Sequence, residues 1–309
     1  MPRQTRLDFC SPSLSCRRSA VRIEILPRDS SSKPRITWKV GGKFFYSTSQ
    51  VKVFDSLEFE SRRTAIYRTA VAGGTNDKCG GLALSTPEHL APVFLMWPGR
   101  SFVVDVLVDA DAGVEVGANF VPEIPLMDGS ALPFFLALRR EVGTPEATLF
   151  YDAPVNLQWD LRKAPDEPAY GHVRVCPAET FEVEYRLERP DYSGGFSSCA
   201  NVSVYSPEDL YRFFMARTFI AERDYELARQ NGLLEGVDAS CGLLLKPSGE
   251  ERGYRVAEEP ALHKILDLVG DLTFAFPALP RIRVEILNGG HACHRQILEA
   301  ILPFLQKVV

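Results

Sequence analysis

The first sixty residues alternate between hydrophobic and polar positions in the manner of β-strands. Their two-residue period and their β-branched residues are typical of antiparallel pairing. The pattern is clearest in three segments, VRIEILP (21–27), RITWKV (35–40) and VKVFDSLEFE (51–60). A fourth strand segment, SFVVDVLVDAD, covers residues 101–111. A sheet is therefore predicted for the N-terminal part of the chain.

The alternation stops at STPEHL (85–90), which has the features of a helix start. Thr86 is expected at the N-cap, Pro87 at the first helical position and Glu88 in the first turn. A second helix is predicted within EIPLMDGSALPFFLALRREV (123–142), after an Asp-Gly turn. The EIPLMDGS loop is interpreted as shape-setting, because turn chemistry accounts for its residues.

Strands followed by helices are predicted again in the second half of the chain. Periodicity is lost in GTPEATLF (143–150), where a domain boundary is predicted. The predicted strands beyond it are VNLQWDL (155–161), HVRVC (172–176), TFEVEYRLE (180–188) and CGLLLKP (241–247). The first predicted helix is 207–217, opened by the capping-box sequence SPED. A short helix follows in ERDYELARQNGLL (222–234) and stops at Asn231-Gly232, and the last covers 258–272.

This order of elements predicts an α+β fold of two similar domains, residues 1–143 and 150–309. Each domain is expected to be a mostly antiparallel sheet with two main helices packed on one face. A chain of 309 residues is long enough for two such cores.

Composition narrows the possible partners. A net charge of −5 provides no electrostatic reason to expect nucleic acid. The apolar runs HLAPVFLMW and DLTFAFPALP are far shorter than the roughly 20 residues that cross a bilayer. The N-terminus has no apolar stretch of signal-peptide length, so a cytoplasmic location is expected. Seven cysteines without a C-x-x-C pair fit reduced thiols better than disulfides or a cysteine zinc site.

Three of the five histidines lie in segments that resemble parts of a chemical site. They are His89, directly after Glu88, then His263 in an H-x-x-x-D pattern, and His291 in NGGHACH. Residues four apart on a helix share one face, so His263 and Asp267 would form either a pair of metal ligands or a buried ion pair. Each motif alone is a weak signal, because a lone helical histidine is more often structural.

Together the motifs favour metal-assisted hydrolysis. Two histidines and one aspartate would supply three ligands to a tetrahedral zinc and leave the fourth position for water. Glu88, projecting about 100° away from His89 around a helix, would be the general base. His291, after a Gly-Gly turn, would serve as electrophile or proton donor.

Five groups of segments in this sequence resemble those of a known family. The segments LSTPEHL, EIPLMDGSALPF, ARTF with RDYELARQNGLLEG, HKILDLVGDL and GGH occur in the order and approximate spacing of the UDP-3-O-acyl-N-acetylglucosamine deacetylases. These are the LpxC-type zinc enzymes of lipid A synthesis. The resemblance runs from about residue 82 to the C-terminus, and before it only the strand pattern matches.

The resemblance implies two α+β domains whose helices are sandwiched between outer sheets, with zinc at their junction. The zinc ligands would be His89, His263 and Asp267. Glu88 would be the base that deprotonates the attacking water. His291, oriented by Asp271, would stabilise the oxyanion and protonate the leaving amine.

The resemblance also implies contacts to the substrate. Thr218 would hydrogen-bond the oxyanion and Lys264 would face the diphosphate. Phe219 and the inserted unit of about residues 220–256 would line a passage for the acyl chain. His172 and His294 are interpreted as structural or surface residues.

Three departures from the family pattern affect substrate recognition. The family loop of form G-x-G-L-H-x-G should fall near SPSLSCRRSAV (11–21), which has neither its glycines nor its histidine. Asn288 stands near the place of a lysine that precedes the catalytic histidine, so a cationic phosphate contact is missing. Arg174 and Val175 align with an acidic-aromatic pair that cradles uracil, and valine cannot stack on a base.

The function predicted from these residues is zinc-dependent hydrolysis of the N-acetyl group of UDP-3-O-acyl-N-acetylglucosamine by a monomeric enzyme. The alternative is a zinc N-deacetylase of another acylated or N-acetylated glycoconjugate, with weakened recognition of UDP. A non-catalytic binding module of the same fold would require a broken metal site, and all the ligand positions are present. A thiol or redox enzyme is disfavoured, because the only cysteine next to a histidine is Cys293 beside His294.

Overall fold

The structure is a computed structural model of the chain. It describes residues 5–14, 17–28, 32–49, 57–59, 65–68, 82–108, 121–189, 195–230, 234, 237–238, 240–245 and 253–308.

The described residues form strands and helices in the following order. The strands are β1 (Thr5–Ser11), β2 (Ser19–Ile25), β3 (Ile36–Val40), β4 (Lys43–Ser47), β5 (Leu57–Phe59), β6 (Ala65–Arg68), β7 (Leu82–Ser85), β8 (Phe102–Leu107), β9 (Phe150–Tyr151), β10 (Leu157–Leu161), β11 (Gly171–Pro177), β12 (Phe181–Arg189), β13 (Phe196–Val204), β14 (Phe219–Ala221), β15 (Leu243–Leu245), β16 (Leu279–Pro280) and β17 (Ile282–Leu287). The α-helices are α1 (Leu132–Val142), α2 (Pro207–Phe214), α3 (Glu222–Gln230), α4 (Glu259–Thr273) and α5 (His291–Val308).

Two five-stranded sheets share one topology. The N-terminal sheet has the order β1-β2-β8-β3-β4 and the C-terminal sheet the order β10-β11-β17-β12-β13. In each sheet the last strand in sequence is inserted between the second and the third. It pairs antiparallel with the second and parallel with the third. All other pairs are antiparallel. The predicted α+β class is confirmed, while the domain boundary at 143–150 stays a prediction.

Helix α4 lies between the two sheets. On one side it packs against β12 and β13 of the C-terminal sheet. Directly after its C-terminal end, the ring of Phe274 lies 4.9 Å from that of Trp38 on β3. Tyr46 on β4 donates its hydroxyl to the carbonyl oxygen of Ala275 at 2.9 Å. A helix enclosed on both sides must be apolar around most of its circumference, which explains why polar residues are conspicuous there.

The region around STPEHL differs from the predicted α-helix. Two consecutive 3₁₀ segments, Pro87–His89 and Ala91–Met96, take its place. Thr86 precedes the first of them with φ 58°, and its hydroxyl donates to the Ser85 carbonyl instead of capping the helix. Pro92 cannot supply a backbone N–H to a longer helix, so the chain stays in short turns.

Several other predictions can be compared with the structure. The Asp209 carboxylate of α2 accepts from the Ser206 N–H at 2.9 Å, which confirms the capping box, although α2 ends at Phe214 and not at 217. The elements for which no segment was predicted are helix α5 and strands β1, β4, β6, β7, β9, β13, β14, β16 and β17. The predicted strand over 51–60 lies outside the described residues except for β5, and the end of the strand predicted over 101–111 also lies outside them.

No helix in the described part of the chain is long and apolar enough to cross a bilayer.

Candidate metal centre

Helix α4 presents three polar side chains along one side, at intervals of four residues. His263, Asp267 and Asp271 are all buried within the helix Glu259–Thr273. The spacing places them one turn apart on the same face. Their partners come from the segments that pack against that face, and these segments are far away in sequence.

The first partner is the 3₁₀ segment that contains Glu88 and His89. Gly270 lets this segment lie directly on α4, because a Cβ atom there would stand 2.1 Å from the backbone oxygen of Glu88. No side chain fits such an approach. Gly270 lies between Asp267 and Asp271, so the contact brings Glu88 and His89 against the polar face of the helix.

Donor atoms of His89, His263 and Asp267 all lie within 4.8 Å of one another. The Nε2 atom of His263 is 3.3 Å from Asp267 Oδ1, and that of His89 is 3.6 Å from the same oxygen. All three residues are buried. The structure therefore brings together the three side chains that were predicted as ligands.

Hydrogen bonds orient two of these side chains. The Nδ1 atom of His263 lies 3.1 Å from the carbonyl oxygen of Ala216, so Nδ1 carries the proton and Nε2 keeps its lone pair. Lys264 donates to Asp267 Oδ2 at 2.9 Å, which leaves Oδ1 directed at the imidazoles. Burial lowers the pKa of His263 to about 3, and this favours the neutral imidazole that metals bind.

Glu88 lies buried beside this group. Burial raises the pKa of its carboxyl to about 7, against the opposing effect of the His291 and His89 imidazoles. Its Oε2 atom is buried and has no hydrogen-bond partner among the described residues. A carboxylate with a pKa near neutrality and an unused lone pair can accept a proton from a bound ligand.

His291 stands at the first position of α5 and faces the group with its other ring nitrogen. Its Nδ1 atom lies 2.8 Å from Asp271 Oδ2, and its Nε2 atom lies 4.0 Å from Asp267 Oδ2. Burial opposes protonation, but the Asp271 carboxylate outweighs it and raises the pKa of His291 to about 9. The imidazole is therefore protonated at neutral pH and presents an N–H toward the candidate ligands.

His294 is part of the same network, which the sequence had not indicated. It is fully buried, and its Nδ1 atom also lies 2.8 Å from Asp271 Oδ2. Its Nε2 atom lies 3.1 Å from the hydroxyl oxygen of Tyr185. From the sequence, His294 was interpreted as either a structural or a surface residue, and in the structure it is buried. The three-residue spacing from His291 is the only sequence signal for their common direction. His172, in contrast, is exposed on β11.

Phe219 and Lys264 lie at the rim of the group. The Phe219 ring is 6.2 Å from the ring of His263, and the Lys264 ammonium is 5.6 Å from the Phe219 centroid. Attraction to Asp267 raises the pKa of Lys264 against the effect of burial. In the structure Lys264 is thus an ion-pair partner of Asp267, and no described contact directs it at a diphosphate.

Thr218 joins the EIPLMDGS loop to the inserted unit. Its backbone N–H donates to the Gly129 oxygen at 2.6 Å, and its carbonyl accepts from Leu243 at 2.7 Å. Gly129 has φ +83°, and a Cβ atom there would stand 2.1 Å from the oxygen of Cys241. The loop thus has the shape-setting geometry inferred from its sequence.

An apolar cavity of about 250 Å³ begins beside Thr218 and Phe219. The other lining residues come from the N-terminal segment and from the inserted unit, namely Leu14, Ile220, Tyr225, Leu234, Val237, Asp238, Gly242, Leu243 and Leu244. Strands β14 and β15 pair in parallel to form one wall. A cavity of this composition accepts a hydrocarbon group.

The structure shows the surroundings of two residues that depart from the family pattern, Val175 and Asn288. Val175 is fully buried in β11, where it pairs with Val284 of β17, so no nucleotide base can reach it. This agrees with the absence of base stacking at this position, while the alignment itself stays a prediction. Asn288 accepts from the Glu188 N–H at 2.7 Å and donates to the Tyr170 oxygen at 2.8 Å. Both polar ends of its side chain are therefore used within the protein. Of the loop at 11–21, residues 15 and 16 lie outside the described part.

Comparison with known proteins identifies the family. The model of the LpxC family, described as UDP-3-O-acyl N-acetylglycosamine deacetylase, matches residues 42–303. The chain belongs to this family. The LpxC match begins about 40 residues before the first quoted motif, so it also includes part of the N-terminal sheet.

Curated relatives support the same assignment. The chain is 29% identical to the UDP-3-O-acyl-N-acetylglucosamine deacetylase of Aliivibrio fischeri, over 79% of this chain and 73% of the relative. It is 29% identical to the protein of that name from Phenylobacterium zucineum, over 82% of both chains. For the one from Acinetobacter baumannii strain SDF the identity is 28%, over 72% and 69%. The chain is thus an LpxC-family deacetylase.

Proposed function

We propose that this chain hydrolyses the N-acetyl group of UDP-3-O-acyl-N-acetylglucosamine with the help of one bound zinc ion. The observation that carries the proposal is the convergence of His89, His263 and Asp267 within 4.8 Å, next to Glu88 and His291, in a chain of the LpxC family. The relatives' names supply the substrate, and the site chemistry supplies the mechanism.

The donor set fits zinc. Two imidazoles and one carboxylate oxygen are typical of a catalytic zinc site with an open fourth position, whereas magnesium and calcium prefer oxygen ligands. His263 has its Nδ1 atom engaged by Ala216 and its Nε2 atom free for a metal. When bound, zinc would act as a Lewis acid that activates water and polarises the amide carbonyl.

Glu88 is proposed as the general base. Its raised pKa, about 7, makes it a stronger base than an exposed carboxylate, and its Oε2 atom has no described partner that would compete for the proton. It would take a proton from the attacking water as the carbon–oxygen bond forms.

His291 is proposed as the general acid. The Asp271 carboxylate holds the ring through Nδ1, so the proton available for transfer is on Nε2. That proton would pass to the amine nitrogen as the carbon–nitrogen bond breaks, and the same N–H would stabilise the oxyanion before then.

The remaining assignments concern the substrate. Thr218 is proposed to hydrogen-bond the oxyanion and Phe219, with the unit at about 220–256, to line the acyl passage, which is supported by the 250 Å³ apolar cavity beside them. Lys264 is proposed to contact the diphosphate in exchange for its Asp267 partner. The domain limits, a cytoplasmic location and a monomeric state likewise stay predictions.

The deciding experiment combines metal analysis with an assay of amine release. The purified protein, given one equivalent of zinc, is expected to bind it and to deacetylate UDP-3-O-acyl-N-acetylglucosamine. His263→Ala should lose both properties, and the exposed His172→Ala is the matched control that should keep both. Zinc binding with no amine release from this substrate would contradict the proposed function.

A second substrate arm tests the alternative of weakened UDP recognition. The side-chain amide of Asn288 is neutral, and both its oxygen and its nitrogen are hydrogen-bonded within the protein. Asn288 therefore cannot supply the cationic contact that the family places near it. Comparable kcat/KM values for the UDP-linked and UDP-free acylated sugars would favour another glycoconjugate. A preference above about 10³-fold, or roughly 4 kcal/mol, would support the UDP sugar.

A further inference from the structure

Asp271 receives two imidazole donors on a single oxygen. The Nδ1 atoms of His291 and His294 each lie 2.8 Å from its Oδ2 atom. Burial raises the pKa of Asp271, but the imidazoles outweigh that effect and lower it to about 2, so the group is a carboxylate and can only accept hydrogen bonds. Both Nδ1 atoms must therefore carry protons.

The second imidazole is also hydrogen-bonded on its far side. His294 is fully buried, and its Nε2 atom lies 3.1 Å from the Tyr185 hydroxyl. Burial raises the pKa of Tyr185 well above its usual range, so the phenol keeps its proton and donates. Burial also lowers the pKa of His294, which leaves a neutral ring with one N–H. Because that proton is on Nδ1, Nε2 accepts from Tyr185.

The backbone is shaped around this chain of hydrogen bonds. At Gly289 a Cβ atom would stand 2.6 Å from Cys293 Sγ and 3.1 Å from the Tyr185 hydroxyl oxygen. The absence of a side chain there lets β17 and the start of α5 approach Tyr185 of β12. His291 and His294, three residues apart on α5, then project together onto Asp271.

We propose that His294, in the Nδ1–H tautomer that Asp271 requires and held from its far side by the Tyr185 hydroxyl, is a positioning residue for the deacetylation reaction. It fixes the Asp271 carboxylate, and Asp271 in turn fixes the His291 ring. The proposal rests on the proposed function, since it assigns His291 the role of acid.

The physical reason is the rotational freedom of the Asp271 carboxylate. Loss of the His294 donor would leave the terminal torsion of Asp271 less restrained, and the His291 imidazole would turn with it. A second donor on the same oxygen, from a ring that cannot move because it is buried and bonded at both nitrogens, removes that freedom. Loss of such an indirect contact typically costs about 10–100-fold in activity, since small misplacements of a catalytic group are costly.

The first test is spectroscopic and independent of activity. The chain has only five histidines, so long-range ¹H–¹⁵N spectra of imidazole-labelled protein can be assigned with single variants, starting from the exposed His172→Ala. The zinc-loaded protein is expected to show His294 as the Nδ1–H tautomer. Tyr185→Phe should keep that tautomer, because Asp271 still requires it, and should shift the Nε2 resonance of His294 to that of a nitrogen without a donor. An Nε2–H tautomer in the unsubstituted protein would overturn the proposal.

The second test separates positioning from packing. His294→Leu should lower kcat about 10–100-fold with KM unchanged and zinc retained, while His294→Asn, which keeps a short donor toward Asp271, should recover at least half of that loss on a logarithmic scale. Equal losses in both variants, or an unchanged kcat in folded His294→Leu, would overturn the proposal. If His294→Leu does not fold, Tyr185→Phe supplies the same kcat comparison. If the unsubstituted protein releases no amine, the proposed function fails, and the tautomer measurement still tests the hydrogen-bond chain.

Discussion

The two halves of the molecule have the same sheet and use it differently. Each has five strands in the same order, with one parallel pair in the same place. The C-terminal half contributes six polar site residues from the regular helices α4 and α5, namely His263, Lys264, Asp267, Asp271, His291 and His294. The N-terminal half contributes Glu88 and His89 from a short 3₁₀ segment.

The difference shows how two sheets of one topology can support one asymmetric site. A regular helix sets distances between its own residues, such as the turn between His263 and Asp267. The 3₁₀ segment adds two neighbouring residues, Glu88 and His89, to the same centre, and Gly270 allows it to approach α4 closely enough to contribute. Substitutions made in one half at a time should separate these contributions.

The largest effect is expected from the helix side. Asp267→Ala removes one ligand oxygen and leaves the half-buried Lys264 without its ion-pair partner, so zinc binding should be lost together with nearly all amine release, a fall of at least about 10⁴-fold. Metal content by elemental analysis is the measurement. Full zinc occupancy in this variant would show that the carboxylate is not a ligand.

A somewhat smaller effect is expected from the 3₁₀ side. Glu88→Gln keeps the size and burial of the side chain but cannot accept the proton, so kcat should fall about 10²–10⁴-fold while zinc content and melting temperature are unchanged. Glu285→Gln, on the outer face of the C-terminal sheet, is the matched control and should retain full activity. Unchanged kcat in Glu88→Gln would require another base.

The contact between the two halves should matter at an intermediate level. Gly270→Ala would favour the helix by about 1 kcal/mol from propensity alone, yet its Cβ would overlap Glu88, so the segment must shift. We expect a fall in kcat of about 10–100-fold. Leu298→Ala, in the buried core of α5, is the control for lost stability and should keep kcat per folded molecule. An equal kcat in Gly270→Ala and the unsubstituted protein would mean that the close approach has no catalytic role.

The smallest effect concerns pH. Glu88 must be deprotonated, so activity should rise as pH increases through its pKa, about 7. His291 must be protonated, so activity should fall as pH increases through its pKa, about 9. The profile is therefore bell-shaped, with about a tenfold change per pH unit on each limb, and bound zinc would move both limbs to lower pH. In His291→Gln the basic limb should disappear from the residual activity. A limb that persists there would belong to another group.

The sequence was sufficient for features that depend on neighbours along the chain. The turn between His263 and Asp267 follows from helical geometry, and the capping box at Ser206 follows from four consecutive residues. The recurrence of strands before helices indicated the α+β class. The set of ligand and acid-base candidates came from motif order, and the structure brings those side chains together.

Other features depended on contacts between distant segments. The 3₁₀ form of the Glu88 segment could not be inferred from a helix-start pattern, because its packing on Gly270 involves residues about 180 positions apart in sequence. Tyr185 and His294 show no pattern that relates them. The burial of Val175 could not be inferred either, because the orientation of a strand residue is set by which face of the sheet is covered.

The physical reason is the range of the interactions. Local backbone geometry and side-chain capping are decided within a few residues, so the sequence by itself determined the helical spacing, the turns and the chemical types available to the site. Burial, the pKa of Glu88 and the tautomer of His294 depend on which surfaces exclude water from one another. Only the packing of α4 between the two sheets decided these properties.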